Sequence, residues 1–83
     1  MRIDKFLNAV NITKRRSIAE DMLQHKVVFL NEIAVKKAKE VKVGDKIEMK
    51  YLEYSEFFIV LQIPKTKSTP KSVQSEYIQK VGE

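Results

Sequence analysis

Apolar residues recur every three or four positions along the first part of the chain. Ile3, Phe6, Leu7 and Val10 stand at i, i+3, i+4 and i+7, one stripe of a first helix over residues 2–11, with Arg2, Lys5 and Asn8 off the stripe. "NIT" interrupts the pattern. Ile18, Ala19, Met22 and Leu23 then resume it, which predicts a second helix from near Lys14 to about Gln24 with Thr13 as its cap. Two short helices joined so tightly must pack their stripes on each other and on a further layer.

That layer reads as a sheet. "VVFLNEIAVK" predicts two short strands joined at Asn31-Glu32, a hairpin turn whose first residue tolerates a positive φ and whose second does not. "KKAKEVKVGD" is a charged crossing segment closed by a Gly44-Asp45 turn. "DKIEMKY" alternates, with Ile47, Met49 and Tyr51 on one face and Lys46, Glu48 and Lys50 on the other. "EFFIVLQI" is a longer apolar strand paired to it through "LEYS". The predicted class is α+β: two packed N-terminal helices on a small antiparallel sheet, in one domain over residues 1–63. Residues 64–83 begin as a polar linker, "PKTKSTPKS". A short C-terminal helix can follow, with Thr69 as cap, Pro70 in its first position, and Val73, Tyr77 and Val81 on one face; a frayed tail is the alternative.

Composition removes several function classes. At 83 residues there is no room for a catalytic domain beside an accessory one, and the absence of cysteine excludes disulfides and thiolate metal sites. No apolar run approaches the roughly 20 residues that span a bilayer, and "MRIDKFLNAV" lacks the long apolar run of a signal peptide, so a cytoplasmic protein without a membrane partner is expected. His25 is the only histidine and sits at a helix-to-strand junction with no nucleophile or paired carboxylate in evident relation to it. The carboxylates show neither metal-ligand spacing nor a convergent pair, and the two glycines, Gly44 and Gly82, form no phosphate loop. The expectation is a non-enzymatic protein with no cofactor and no metal.

Charge is informative through its placement. Residues 1–42 hold ten Lys/Arg against five Asp/Glu, and residues 43–83 hold six against six, so the whole net charge of +5 lies in the first half. A one-sided basic field suits a polyanion. Lys14, Arg15 and Arg16 fall where the second helix should start, although a helix N-terminus carries partial positive charge and a misplaced cation costs a few tenths to ~1 kcal/mol there. Free backbone N–H groups, the dipole end and Arg forks together bind phosphate, so a ligand would satisfy the rule that the sequence breaks. Arg2 and Lys5 share a face of the first helix and can join that surface, with Lys36 and Lys37 extending it. A pairing of Arg16 with Glu20 would soften the anomaly by only ~0.3–0.5 kcal/mol. Asp4, in the first helical turn, is expected to support the site by orienting Arg2 or an Arg of the second helix, without touching the ligand.

"RIDKFL", "KRRSIAEDML", "VVFLNE" and "VKVGD" occur in the order and spacing of a known family. Over residues 1–63 the chain resembles the RNA-binding domain named after small-subunit ribosomal protein four, the alpha-L motif. It departs from that pattern at Lys26 and Glu32, where the family usually has glycine. Among stand-alone members it is similar to the small ribosome-binding heat-shock proteins and, slightly more, to the RqcP family of ribosome-associated quality control. The resemblance implies contact with ribosomal RNA and tRNA through the helix pair, on a large ribosomal subunit carrying peptidyl-tRNA after a stalled ribosome has split, in support of alanine-tail elongation. A monomer is expected. Roughly five to seven phosphate contacts imply a log–log salt dependence with a slope of about −4 to −6. Two rival readings are a small helix-turn-helix-like DNA-binding regulator, reading bases through Ser17, Glu20 and Gln24, and a protein-interaction adapter using "EFFIVL" or the Val73/Tyr77 face.

Overall fold

The computed structural model describes residues 1–82; Glu83, the end of the segment read as linker and tail, lies outside the described residues. Two helices, α1 (Ile3–Ala9) and α2 (Arg16–Gln24), precede strands β1 (Val28–Leu30), β2 (Ile33–Ala34), β3 (Lys46–Lys50) and β4 (Ser55–Val60). A 3-10 helix (Lys71–Glu76) and strand β5 (Ile78–Val81) complete the chain. The strands form one antiparallel sheet in the order β2-β1-β3-β4-β5. The architecture is the α+β arrangement of two helices on an antiparallel sheet.

Helix α1 has seven residues, too few to persist alone in water, so tertiary packing must hold it. Ile3, Phe6, Leu7 and Val10 are fully buried, as their spacing requires, and each large apolar side chain so buried contributes roughly 1.5–3 kcal/mol. Both helices end in the same motif. After α1, Asn11 is left-handed (φ 65°), its N–H donates to the Asn8 carbonyl (3.1 Å) and that of Ile12 to Leu7 (2.9 Å). After α2, Lys26 is left-handed (φ 60°), with Lys26 N–H on Leu23 (3.1 Å) and Val27 N–H on Met22 (3.2 Å). These paired bonds satisfy carbonyls that a helix end leaves free, usually around a glycine.

The start of α2 differs from the expectation. Thr13 does not cap it: Arg15 occupies the cap position in an extended conformation (φ −137°, ψ 148°), with no side-chain cap. Thr13 is consumed by the close of α1 instead. Its N–H donates to the Leu7 carbonyl (3.1 Å), and its hydroxyl is buried with no partner.

The hairpin turn forms at Asn31-Glu32, with both residues at positive φ (52° and 72°) and Leu30 opposite Ile33. These signs are those of the tight turn that matches strand twist, and Glu32 adopts it despite its side chain. Asn31 ties the turn to the next one: its Nδ2 donates to Asp45 Oδ1 (3.1 Å) and its Oδ1 accepts from Lys46 N–H (3.0 Å). Alternation along β3 turns Ile47 and Met49 into the core, where they meet the α1 stripe, Ala19 and Leu23 of α2, Val28, Leu30, Val41, Phe58 and Val60. The apolar strand "EFFIVL" is therefore core through Phe58 and Val60.

The tail holds the main difference. The short helix expected after Thr69 forms as the 3-10 turn Lys71–Glu76, with Pro70 at its cap, but it stops before Ile78, and the described residues of the tail are docked and not frayed. Val73 leaves helical geometry (φ −109°, ψ 16°), and Ile78–Val81 pair with β4, with Val60 opposite Ile78 and Phe57 opposite Val81. Backbone pairing covers an edge that β4 would otherwise expose, and Ile78 joins the core. The start of the segment is also anchored: Thr69 N–H and Oγ1 both donate to the Ala9 carbonyl (2.9 Å each), Asn11 Nδ2 donates to the Thr69 carbonyl (2.9 Å), and Gln74 Nε2 to the Val10 carbonyl (2.8 Å). Free carbonyls at the end of α1 thus take their donors from a segment about sixty residues away.

Candidate nucleic-acid interface

Asp4 is fully buried in the first turn of α1, and its carboxylate joins the two helices. Oδ1 accepts the Lys5 N–H (2.8 Å), while Oδ2 accepts Arg2 Nη2 (2.9 Å) and Arg16 Nη2 (3.5 Å). Both guanidinium groups keep part of their surface in solvent, at 39% and 48% exposure, so one buried anion positions two surface cations. A charged hydrogen bond of this kind fixes an Arg fork in orientation, which a lysine does not reproduce. Arg2 Nε is buried without a partner, an arrangement costing about 1–3 kcal/mol, and a second local rule is thus broken at this place.

Arg16 does not pair with Glu20. It turns toward Asp4, and Glu20 lies 3.9 Å from Lys37 Nζ. The reason is tertiary: residues 37–39 run beside the start of α1, where Ile3 N–H donates to the Lys39 carbonyl (2.7 Å) and Asp4 N–H to that of Lys37 (3.4 Å). The charged crossing segment is therefore laid against the helix pair. Lys36 and Lys37 both line a groove against α2 with Glu20, Leu23 and Gln24, and Lys36 also lines, with Lys39, a second groove beside Leu30, Ile33 and Val35. Lys5, Lys14 and Arg15 are exposed and have no ion-pair partner among the described residues. The first turn of α2 contains no acidic residue, so its partial positive charge is unopposed.

Two cations escaped sequence reasoning. Lys65 and Lys67 line a groove of about 460 Å³ together with Met1, Lys5, Asn8, Arg16 and Thr66. The pair is visible in "PKTKS", but it takes the docking of the tail on the end of α1, through Thr69–Ala9, Asn11–Thr69 and Gln74–Val10, to bring it to the helix face. His25 is the exposed C-terminal cap residue of α2, its Nδ1 3.5 Å from Asp21 Oδ1. Among the described residues no group of three or more His, Asp or Glu could hold a metal, and no helix is long and apolar enough to cross a membrane.

A family model described as the S4 domain matches residues 1–47, which contain both helices, the hairpin and the Gly44-Asp45 turn. The chain belongs to the S4 domain family. Its relatives include proteins of two Helicobacter pylori strains named RQC P-site tRNA stabilizing factor, each 46% identical over 78 residues, covering 94% of this chain and 93% of theirs. A Bacillus subtilis protein of the same name is 27% identical over 75 residues, covering 90% of this chain and 84% of its own. The solution structure of the hypothetical protein HP1423 superposes with a TM-score of 0.85 at 43% identity, over 100% of this chain and 99% of that one. The trimeric structure of Vibrio cholerae Heat Shock Protein 15 shares the S4 fold, with a TM-score of 0.86 at 23% identity over 98% of this chain and 81% of that one. The S4 match ends within β3, so β4, the 3-10 helix and β5 lie beyond it.

Proposed function

We propose that this S4 domain protein is a non-enzymatic RNA-binding factor that acts on the large ribosomal subunit in quality control of stalled translation, where it holds P-site tRNA. The uncapped, acid-free start of α2, flanked by Lys14, Arg15 and the Asp4-anchored Arg16, is the observation that carries this reading. Phosphate is the ligand that suits such a helix end, and S4 relatives along almost the whole chain carry a name that specifies P-site tRNA. Arg2, Lys5, Lys14, Arg15 and Arg16 supply the contacts, Lys36 and Lys37 the periphery, and Asp4 holds two of the guanidiniums in place. A-form RNA offers phosphates and 2′-hydroxyls more readily than base edges, so the face reads shape and not sequence. The protein acts as a monomer in this reading, because one chain carries the complete cluster.

The test is sedimentation of the tagged protein from lysate beside Arg15→Glu/Arg16→Glu. The normal protein migrates with free large subunits carrying peptidyl-tRNA and the variant, folded by circular dichroism, stays at the top of the gradient. A normal protein that also stays at the top refutes the ribosomal reading.

A further inference from the structure

The groove between α1 and the segment Pro64–Thr69 contains four cations, Lys5, Arg16, Lys65 and Lys67, and no carboxylate in its lining. The anions that touch its lining are already engaged: Asp4 is buried and shared by Arg2 and Arg16, and Glu40 holds the Met1 ammonium (2.6 Å). Neither Lys65 nor Lys67 forms an ion pair among the described residues. The segment is nonetheless fixed, since Pro64 and Thr69 are buried, Thr69 binds the end of α1 and Thr66 Oγ1 donates to the Ser68 carbonyl (2.7 Å). Gathering like charges on an anchored loop opposes folding unless an anion neutralises them.

We propose that Lys65 and Lys67 form a second phosphate-binding wall for the RNA held at the start of α2, so that its backbone runs through the groove between α1 and the docked tail. The inference rests on the proposed function and deepens it. It places a determinant of RNA affinity in a part of the chain beyond the residues matched by the S4 family. Two features favour an RNA backbone over a single small anion. Its lining runs from Lys65 and Lys67 on the tail to Arg16, which begins α2, and its neutral members Asn8 and Thr66 offer hydrogen bonds suited to ribose.

The experiment titrates full-length chain with a transcribed tRNA at several salt concentrations. The variants are Lys65→Gln/Lys67→Gln, Arg15→Glu/Arg16→Glu, and a charge-matched control, Lys46→Gln/Lys50→Gln, on the sheet face turned away from the core. The tail variant is expected to bind at least about fivefold more weakly near physiological salt and to lose about 1.4–1.8 from the log–log slope, the share of two phosphate contacts. The control should change neither beyond a small uniform loss. If the tail variant matches the control while Arg15→Glu/Arg16→Glu abolishes binding, the wall is refuted and the proposed function stands. If Arg15→Glu/Arg16→Glu binds like the normal protein, the helix-start reading fails and the wall fails with it. Thr69→Val keeps both lysines and releases one anchor; affinity unchanged in a folded Thr69→Val would also overturn the idea that anchoring aims them.

Discussion

Replacing Lys26 by glycine should make this protein more stable, although Lys26 sits on the surface and the change removes atoms. Lys26 follows the last turn of α2 at φ 60°, between N–H groups that bond back to Leu23 and Met22. A side chain in the left-handed region crowds its own carbonyl and costs about 1–2 kcal/mol, which glycine avoids. Glycine returns roughly 0.5–1 kcal/mol of that gain through the greater freedom of its unfolded chain. The net expectation is about 0.5–1 kcal/mol of stabilisation, seen as a rise in Tm of ~2–8 °C for a domain of this size. Lys26→Ala is the decisive companion, since it removes the same charge and stem but keeps the Cβ that causes the crowding. Urea denaturation of the three proteins measures the difference. If the glycine variant is no more stable than the alanine variant, the strain at this position does not exceed the entropy that glycine gives back, and the predicted net gain is refuted. Glu32, at φ 72° in the hairpin turn, offers an independent repeat, and Glu32→Gly should gain a similar amount.

Further outcomes follow from the same structure. Asp4→Asn keeps the shape of a buried side chain but leaves Arg2 and Arg16 without their anion; because both guanidiniums are partly solvated, the cost should be about 1–3 kcal/mol by denaturation, and RNA binding should weaken while the fold persists at low temperature. Equal stability and affinity in that variant would remove Asp4 from the site. Tyr51 has its hydroxyl pushed up to about 12, first by burial and then by the Glu56 carboxylate. A raised pKa in the folded state means that this contribution to stability is complete below the ordinary tyrosine value near 10 and is lost as pH rises through the folded value. Phenolate absorbance should therefore show one of the three tyrosines ionising late, and Tyr51→Phe should abolish that late step.

Local pattern carried far into the structure at the helices. The i, i+3, i+4, i+7 spacing of Ile3, Phe6, Leu7 and Val10 marked the buried face of α1 correctly, and alternation along "DKIEMKY" marked the core side of β3. Both are cases in which one buried face dictates a period that tertiary packing only confirms. The failures share a different cause. Thr13 had the chemistry of a cap, but its N–H closes the preceding helix and α2 starts only at Arg16, which leaves Thr13 two residues short of the cap position. "STPKSVQSEYIQKV" starts as the short helix its spacing suggests, over Lys71–Glu76, but Ile78–Val81 found unpaired backbone along β4, and such long-range pairing leaves no mark in a local window.

The pair of amphipathic helices, the antiparallel sheet, the basic bias of the first half and the misplaced cations of "KRR" are all legible in the chain without its fold, because each is a matter of period or of charge at a known position. Tertiary structure decided the partners. Arg16 chose Asp4 over Glu20, since a buried carboxylate on the neighbouring helix, already fixed by Arg2, outcompetes an exposed one on its own helix. Likewise, Lys65 and Lys67 became part of the basic face only because the free carbonyls closing α1 needed donors and Thr69 and Gln74 supplied them.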